Sequence, residues 1–545
     1  MELEHAVGFR GIPGGLHYHP NGKDFVYAAG ATVVICDLSD PHAQSILVGH
    51  TADISCLALG SGGDLIASGQ IGGDSPDALV WDFASRTELY RLSEHDHGIQ
   101  AVAFSDDDRL LCTAGVAEDG KVLVWDMSSG AIVALLAAGR ARAACVAWGG
   151  MVRDVKRRDT RGYQLATAGD QKIVLWTLDP YTGEMQGARV AVEGRGATLR
   201  DVTSLAFSDD RESLYCTTTS GDVLPPDRLE LLAGTDEGFV YRVRVATLDA
   251  LQLAESPTGA VRALAYAPGV SDKFATAAAD GALRLWDASD YTAVMAAVVK
   301  DAQEPLCLAL TEDMVVSGWR DGRLRAHDAD TGKALWLMDN THVEGVTALA
   351  LSRNQRFALT GGQGGELRVW ELRSRELVSH LKQHGQRVPS VALFSDDAHA
   401  VSVSRDRSLI CWDLRTEKQV SHHSQRMGGI NGVALSKDES LVLTVGQEKR
   451  MTQWDLRAQA PVSVTDLSRD MSDEALGVAV SHNGRFVATA GTAQVVKLWD
   501  LASRRLLAEG RGHSGSVTAL SFSADDRQLV SAGLDGNVLV WNVYE

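Results

Sequence analysis

The C-terminal stretch GHSGSVTALSFSADDRQLVSAGLDGNVLVWNV (residues 512–543) decides the fold. Three of its segments alternate apolar with small or polar side chains, as half-buried strands do: residues 517–522, 529–532 and 538–541. The pair Asp535-Gly536 between the last two is typical of a tight hairpin, because glycine adopts positive φ without steric cost. Three short strands cannot bury their own faces. The stretch therefore predicts one unit of a repeating β structure.

The same ending recurs along the chain at a nearly fixed interval. In the C-terminal half the closing tryptophans lie 42, 42, 45 and 42 residues apart, at Trp370, Trp412, Trp454, Trp499 and Trp541. Earlier endings are found at Trp81, Trp125, Trp176, Tyr241 and Trp286, with weaker ones at residues 35–37 and 325–327. A period of about 40–45 residues with a terminal Trp-Asp is the signature of WD-repeat blades. The sequence predicts an all-β chain of tandem WD40 β-propellers.

Two short apolar segments, residues 5–9 and 248–254, have no hairpin partner of their own and indicate where the two rings begin. We therefore expect an N-terminal WD40 propeller over residues 1–247 and a seven-bladed C-terminal propeller over residues 248–545. Residues 5–9 are expected to complete the last blade of the first ring. Residues 248–254 are expected to pair beside residues 538–543, because closing each ring removes exposed sheet edges.

The first ring is short of residues at one place. Residues 214–223 look like the inner hairpin of one blade, and residues 229–243 look like the end of another. The segment between them, residues 224–228, cannot hold the two intervening strands. The sequence predicts six or seven blades in this ring, one of them incomplete near residues 223–229.

Polar residues recur at fixed offsets inside the blades. The last blade carries His513, Ser531, Asp535 and Trp541, and an earlier blade carries His384, Ser402, Asp406 and Trp412 at the same spacing. We expect a buried hydrogen-bond chain from Asp to His, from His to Ser and from Ser to the indole N–H, which would fix blade register. The alternative is a catalytic triad, but repetition at one offset favours an architectural role.

Acidic turns follow the first strand of several blades, at residues 105–108, 208–210, 395–397 and 524–526. Calcium binding is one interpretation, and Asx-type turns are the other, which is favoured since no EF-hand loop is present. Residues 361–365 (GGQGG) resemble a phosphate loop only in their glycine content. We expect no catalytic site, no metal and no cofactor.

The chain is acidic, with 71 Asp and Glu against 52 Lys and Arg and a formal net charge of −19. Such a surface repels phosphate backbones and anionic lipid, so we expect neither a nucleic acid nor a membrane as partner. The seven cysteines are scattered and never form a CxxC pair, which indicates reduced core thiols in a cytoplasmic protein. The N-terminus lacks the apolar region of a secretory signal.

One loop has the opposite charge. Its basic residues are Arg153, Lys156, Arg157, Arg158 and Arg161. Against an acidic background this loop is a candidate contact for an acidic partner, and the alternative is a solvated surface loop.

Several segments are more specific than the WD pattern and resemble the cilia- and flagella-associated protein 52 family. They are SCLAL (55–59), IASGQ (66–70), LVWDF (79–83), YCTTTSGD (215–222), GTDEGFVYRV (234–243), GWRDGRLRA (318–326) and GGQGGELRVW (361–370). The resemblance implies a non-enzymatic scaffold of two propellers on the lumenal side of ciliary doublet microtubules. It also implies contacts with tubulin and other inner-junction proteins, which hold the B-tubule to the A-tubule, and a place in the axonemal cytoskeleton.

A second resemblance supplies the alternative. The segments ending at Arg415 and Arg457 read WDLR and match the WDxR pattern of substrate receptors of cullin-4 ubiquitin ligases. The other interpretation of the two arginines is that they are exposed residues following a strand.

Overall fold

The computed structural model describes most of the chain, with gaps between strands. The described residues are 2–8, 15–40, 43–73, 76–137, 143–153, 159–169, 172–189, 202–207, 214–218, 230–234, 240–244, 250–254, 260–266, 272–289, 292–299, 303–458, 460–467 and 474–544. These residues form strands and turns and contain no helix, which confirms the all-β propeller prediction. Within these ranges, accordingly, no helical segment has the length and apolar character needed to cross a bilayer.

The chain divides into two compact units, which are described separately. The C-terminal unit consists of residues Met1–Gly8 and Ser256–Glu545, and the N-terminal unit of residues Phe9–Glu255. The first strand, β1 (Glu2–Val7), therefore belongs to the unit that contains the end of the chain.

The N-terminal unit begins with four antiparallel sheets of four strands each. Their strands are β2 (Leu16–Tyr18), β3 (Asp24–Ala29), β4 (Thr32–Asp37), β5 (Gln44–Val48), β6 (Ile54–Leu59), β7 (Leu65–Gln70), β8 (Ala78–Asp82), β9 (Thr87–Leu92), β10 (Ile99–Phe104), β11 (Leu110–Gly115), β12 (Lys121–Asp126), β13 (Ala131–Ala137), β14 (Cys145–Arg153), β15 (Asp159–Gly169), β16 (Lys172–Leu178) and β17 (Met185–Arg189).

Two smaller sheets complete the described part of this unit. One has the strands β18 (Val202–Phe207) and β19 (Leu214–Thr218), and the other has β20 (Glu230–Gly234), β21 (Val240–Arg244) and β22 (Ala250–Ala254). The expected shortage, near residues 223–229, lies outside the described residues, so the blade number of this ring stays a prediction. The backbone of β20 lies beside β2, which brings the last and first sheets of the unit together.

The C-terminal unit shows seven four-stranded antiparallel sheets among its described residues. Six use strands that are consecutive in the chain: β23 (Val261–Tyr266), β24 (Lys273–Ala278), β25 (Ala282–Asp287), β26 (Ala293–Val298), β27 (Pro305–Leu310), β28 (Met314–Trp319), β29 (Leu324–Asp328), β30 (Ala334–Met338), β31 (Val346–Leu351), β32 (Phe357–Gly362), β33 (Glu366–Glu371), β34 (Glu376–Lys382), β35 (Ser390–Leu393), β36 (His399–Val403), β37 (Ser408–Asp413), β38 (Lys418–Ser424), β39 (Ile430–Leu435), β40 (Val442–Gly446), β41 (Arg450–Trp454), β42 (Ser463–Asp466), β43 (Ala475–Val480), β44 (Phe486–Gly491), β45 (Val495–Asp500) and β46 (Leu506–Arg511).

The seventh sheet joins the two ends of the chain. It has the order β1, β49 (Val538–Asn542), β48 (Gln528–Gly533) and β47 (Val517–Phe522). The first strands of neighbouring sheets pack against one another, from β23 through β27, β31, β35, β39 and β43 to β47, and β47 packs against β23. These inner strands form a closed ring, which is the arrangement of a β-propeller.

The expected assignment of the two closing strands is wrong, because the structure exchanges them. β1 pairs antiparallel with β49, with Ala6 opposite Leu539 and Val7 opposite Val538. The segment expected to occupy that edge instead forms β22 and pairs with β21. A hairpin between β21 and β22 closes a loop of only five residues and costs much less chain entropy than pairing with a strand at the other end of the chain. The boundary expected between residues 247 and 248 therefore moves to residues 255 and 256, with residues 1–8 assigned to the C-terminal unit.

Apolar side chains from neighbouring sheets pack together, which is how each blade buries its faces. In the C-terminal unit, Val7 of β1 and Val540 of β49 pack in one cluster with Phe274 and Trp286 of the adjacent sheet. All four side chains are buried. The closing strand is therefore part of the hydrophobic core between two blades.

Candidate functional site

The polar residues of the last blade are brought together in a buried chain. His513 Nδ1 lies 3.0 Å from the carboxylate of Asp535, and His513 Nε2 lies 2.8 Å from Ser531 Oγ. The indole N–H of Trp541 donates to the same Oγ at 2.9 Å. Ser531 lies in β48 and Trp541 in the neighbouring strand β49. The register of the two strands places both side chains on the same face of the sheet, where they can bond.

The donors and acceptors fix the direction of this chain. An indole N–H only donates, so Ser531 accepts from Trp541 and donates its own proton to His513 Nε2. His513 then donates Nδ1–H to Asp535. Burial alone would raise the pKa of Asp535, but His513 and the N–H groups of Ser514 and Asn537 hold it below its ordinary value. The carboxylate is therefore ionised at neutral pH.

The second predicted set has one more member than expected. His384 Nε2 lies 2.7 Å from Ser402 Oγ, which also accepts the indole N–H of Trp412 at 2.8 Å. On the other side, His384 Nδ1 lies 2.7 Å from Ser408 Oγ, and Ser408 in turn donates to Asp406. The nearest Asp406 oxygen is 3.5 Å from the imidazole. A serine thus stands between the histidine and the aspartate.

Three further blades contain a related histidine, with changes in its partners. In two of them threonine replaces serine: His95 with Thr113 and Trp125, and His342 with Thr360 and Trp370. In the third, His50 bonds Ser68 through Nε2 and the side chain of Gln70 through Nδ1.

Sequence reasoning missed the partners of His50 and His95. Their closing tryptophans come 31 and 30 residues later, whereas the offset is 28 in the predicted sets. The turn between the second and third strands is longer in these blades. Asp119 therefore follows His95 by 24 residues, whereas Asp535 follows His513 by 22, and it still lies 2.6 Å from His95 Nδ1. A search that allowed insertions between the strands would have found both.

One blade obtains its tryptophan from a different strand. β29 has His327 at the position where the other six sheets of the C-terminal unit have tryptophan. Trp319 of β28 is fully buried in this blade and donates its indole N–H to Ser317 Oγ at 2.8 Å. The guanidinium of Arg325 lies 4.7 Å from the Trp319 ring centroid. The indole–hydroxyl pair is thus kept while its position in the sequence changes.

These sets are poorly suited to nucleophilic catalysis. Ser531 and Ser402 are both 0% exposed, so a substrate carbonyl has no path to either hydroxyl. Burial is the main cause that lowers the pKa of His50 and of His342, each from 6.5 to about 4. Imidazoles that stay neutral and dry at physiological pH act here as hydrogen-bond partners. An architectural role for the repeated sets remains our interpretation.

The acidic turns link neighbouring blades. In the turn after β47, Asp525 accepts from Ser523 within its own turn, while Asp526, at φ 58°, accepts the backbone N–H groups of His482 and Asn483 in the preceding blade. Three other turns repeat the interblade contact: Asp108 to residues 61 and 62, Asp397 to residues 353 and 354, and Glu439 to residue 395. The first acid shapes the turn, and the second joins one blade to the next. Residues 208–210, which were expected to form such a turn, lie outside the described residues.

The described part of the chain offers no cluster of three or more His, Cys, Asp or Glu side chains that could hold a metal ion. The structure describes the side chains of six cysteines, and all six are buried free thiols: Cys36, Cys56, Cys112, Cys145, Cys307 and Cys411. Burial raises the pKa of Cys36, Cys56 and Cys307 to about 12.

The predicted basic loop lies mostly outside the described residues. Lys156, Arg157 and Arg158 are not described, and Arg153 is described only through its backbone at the end of β14. Arg161 is exposed, and its guanidinium lies 5.9 Å from the ring centroid of Tyr181. Its proposed binding role stays a prediction.

The two arginines of the WDxR segments are exposed and follow strands. The backbone N–H of Arg415 donates to Asp413, and that of Arg457 to Asp455, each at 2.9 Å. In this arrangement the aspartate of each Trp-Asp pair caps the turn that follows it.

Comparison with known families finds the WD domain, G-beta repeat. Five segments match: residues 42–82, 86–126, 337–371, 375–413 and 504–542. They include the last predicted blade and the blade of His384, so these parts of the chain are similar to WD40 repeats.

Comparison with curated proteins finds similarity along nearly the whole chain. Cilia- and flagella-associated protein 52 of Homo sapiens is 26% identical over 616 residues, covering 99% of this chain and 97% of that protein. The protein of the same name from Chlamydomonas reinhardtii is 28% identical, covering 99% and 98%. Centriole proteome protein 16 of Chlamydomonas reinhardtii is 31% identical over 35% of this chain and 11% of its own length. The resemblance inferred from the sequence is confirmed.

Proposed function

From its similarity to cilia- and flagella-associated protein 52 along 99% of its length, we propose that this chain is a non-enzymatic scaffold of the ciliary or flagellar axoneme. In this role it lies inside doublet microtubules and stabilises the connection between the A-tubule and the B-tubule at the inner junction. Its partners are tubulin and neighbouring inner-junction proteins. The full-length similarity is the observation that carries this proposal.

The structure supports a role based on shape. Each of the seven described sheets of the C-terminal unit contains an indole–hydroxyl pair, as at Trp541 with Ser531, and several neighbouring sheets are joined by carboxylates such as Asp526. A unit fastened both within and between its blades keeps its surface loops in fixed positions, as a scaffold requires. The buried hydroxyls leave the repeated Ser/His/Asp sets without access to substrate.

The surface charge restricts how such a protein binds an acidic partner. With a net charge of −19, binding to an acidic protein such as tubulin requires a local basic patch. We assign this role to the loop with Arg153, Lys156, Arg157, Arg158 and Arg161. Nothing among the described residues favours the ubiquitin-ligase receptor, since Arg415 and Arg457 have ordinary turn geometry.

The test is retention in axonemes. A tagged chain is expressed in ciliated cells that lack the endogenous protein, and cilia are extracted with detergent and washed with salt. We expect the wild-type chain to stay with the doublets. Recovery of the wild-type chain in the soluble fraction at low salt contradicts the proposed function.

A charge-matched pair of variants tests the basic loop separately. Replacing its five basic residues with glutamine should lower the salt concentration at which the protein is released. The control replaces five exposed basic residues of the C-terminal unit with glutamine: Arg373, Arg375, Arg415, Lys418 and Arg457. Equal release of the two variants would remove the loop from the proposal while leaving the scaffold function in place.

A further inference from the structure

Charged side chains converge in the C-terminal unit at the starts of its inner strands. Arg262 lies in β23, Glu304 directly precedes β27, and Glu474 directly precedes β43. Arg320 follows β28, Arg387 precedes β35 and Arg405 follows β36. Because the inner strands form a closed ring, these residues from different sheets face a common region. We call this group the arginine cluster.

Each of the two glutamates of the arginine cluster contacts two partners: two arginines in the case of Glu304, and one arginine and one asparagine in the case of Glu474. Glu304 Oε2 lies 3.4 Å from a guanidinium nitrogen of Arg262 and 3.5 Å from one of Arg320. Glu474 Oε1 accepts from Arg405 at 3.3 Å and from the Asn431 amide at 2.8 Å. Four guanidiniums face two carboxylates, so the cluster carries a formal charge of +2 on a chain whose net charge is −19.

Arg387 is the arginine of the cluster that has no ion pair with either glutamate. Its Nε is buried and has no hydrogen-bond partner among the described residues. Burial, followed by repulsion from Arg405, Arg320 and Arg262, lowers the pKa of the Arg387 side chain. A partly buried cation without a carboxylate partner costs free energy, which a bound anion would recover.

Space for an anion lies directly beside this side chain. A cavity of about 510 Å³ is lined by Gln363, Gly385, Gln386, Arg387 and Arg405. Two guanidiniums and two side-chain amides at one cavity provide donors in the planar geometry that carboxylates accept in pairs. The cavity is much larger than a single oxyanion, and the further arginines of the cluster lie on neighbouring sheets.

We propose that the arginine cluster binds an acidic peptide segment of a partner protein, with Arg387 and Arg405 holding its carboxylates. This site lies in the C-terminal unit and is independent of the basic loop and of the proposed axonemal function. It gives an acidic protein a specific place to accept an acidic partner.

The experiment uses the purified full-length chain and a fluorescein-labelled hexaglutamate peptide, with binding measured by fluorescence anisotropy at low salt. We expect saturable binding that Arg387→Gln weakens about tenfold or more, the effect of losing a charge-assisted hydrogen bond. Arg405→Gln provides a second variant with the same expectation. The matched control, Arg415→Gln, removes an equal charge from an exposed turn and should change Kd less than about twofold.

Thermal unfolding separates a binding role from a structural one. Without peptide, Arg387→Gln should melt at the same temperature as the wild-type chain or higher, because it removes a partly buried charge that has no carboxylate partner. The proposal is overturned if hexaglutamate does not bind, or if the cluster variants and Arg415→Gln bind equally. It is also overturned if inorganic phosphate displaces the peptide where chloride of equal ionic strength does not, since the site then selects small oxyanions.

Discussion

Asp526 accepts the backbone N–H of His482 at 2.6 Å, so a turn of the last blade is bonded to the turn of the blade before it. The same carboxylate accepts the N–H of Asn483 at 2.5 Å. Asp108, Asp397 and Glu439 make the corresponding contacts elsewhere. Because this contact recurs, we conclude that the acidic residues of these turns connect neighbouring blades in addition to forming the turn itself.

Asp526→Asn should therefore destabilise the C-terminal unit. Asparagine tolerates the positive φ at this position but loses the charge and one of the two acceptor oxygens. We expect the free energy of unfolding to fall by about 1–2 kcal/mol, measured by urea denaturation. Asp313→Asn removes the same charge from an exposed turn and should have an effect near zero. Equal effects of the two variants would refute the interblade role.

Ser531→Ala tests the buried chain of the last blade. The change leaves His513 Nε2 and the indole N–H of Trp541 without their shared partner in the core. We expect a loss of about 2–4 kcal/mol in the free energy of unfolding, since each unpaired buried group costs about 1–3 kcal/mol. Ser531→Thr should recover most of it, because Thr113 and Thr360 have this role in other blades. If the threonine variant is as unstable as the alanine variant, the Ser531 hydroxyl does not stabilise the blade as the shared hydrogen-bond partner of His513 and Trp541.

Acid should weaken the blades that contain His50 and His342. Burial, with repulsion from a nearby arginine, lowers the pKa of each histidine from 6.5 to about 4. Between these pH values the unfolded chain binds a proton that the folded blade does not. The contribution of each histidine to the free energy of unfolding is therefore fully present above about pH 6.5. It falls by about 1.4 kcal/mol per pH unit as the pH drops toward about 4.

The measurement is urea denaturation at a series of pH values. His342→Gln should lower the stability at neutral pH and flatten the pH dependence, because one source of proton uptake is gone. His422→Gln, on the exposed side of β38, is the control and should leave the slope unchanged. A slope that His342→Gln does not alter would show that this imidazole does not cause the acid sensitivity.

Removal of residues 1–8 should open the edge of β49. Ala6 and Val7 are buried, and the deletion takes the outer strand from the last sheet. Hydrogen–deuterium exchange of residues 538–542 should rise strongly, whereas exchange of residues 240–244, paired with β22, should stay the same. Ala6→Asp should give a milder version, and exposed Glu4→Gln should match the wild type. Faster exchange at residues 240–244 alone would support the closure that we first expected.

The six cysteines whose side chains the structure describes should resist alkylation in the folded chain. All are buried, and the pKa of Cys411, as an example, is raised to about 11, mainly by burial. Because thiolates are the reactive form, iodoacetamide at pH 8 should label these sites in urea and leave them unmodified without it. Site-resolved mass spectrometry gives the readout. Rapid native labelling of Cys112 or Cys411 would show that its sheet opens.

The repeat could be predicted from the sequence because each blade encodes the same local physics. Alternating side chains predict the strands, and Asp535-Gly536 predicts the hairpin that joins β48 to β49. His513, Ser531, Asp535 and Trp541 come together because all four belong to one blade. Ser531 and Trp541 lie in its strands, where sequence offset fixes side-chain position, and His513 and Asp535 lie in the short connections beside those strands.

Ring closure could not be predicted in the same way. β1 and β22 are both short apolar strands, and periodicity does not identify the partner of either. The preference of β22 for its neighbour β21 is decided by chain entropy. The arginine cluster was likewise hidden, since Arg405 and Glu474 are 69 residues apart and meet only when the inner strands close their ring.

The pairing of β1 with β49 determines the order in which the protein can be completed during synthesis. The ribosome releases the N-terminal unit first, and that unit can finish folding while later codons are still being read. The opening strand of the nascent chain must wait for its partner until translation is nearly over. β1 and β49 then meet in one blade, where Tyr544 Oη donates to Glu2 at 3.0 Å. A chain that terminates before β49 therefore leaves β1 without its partner strand.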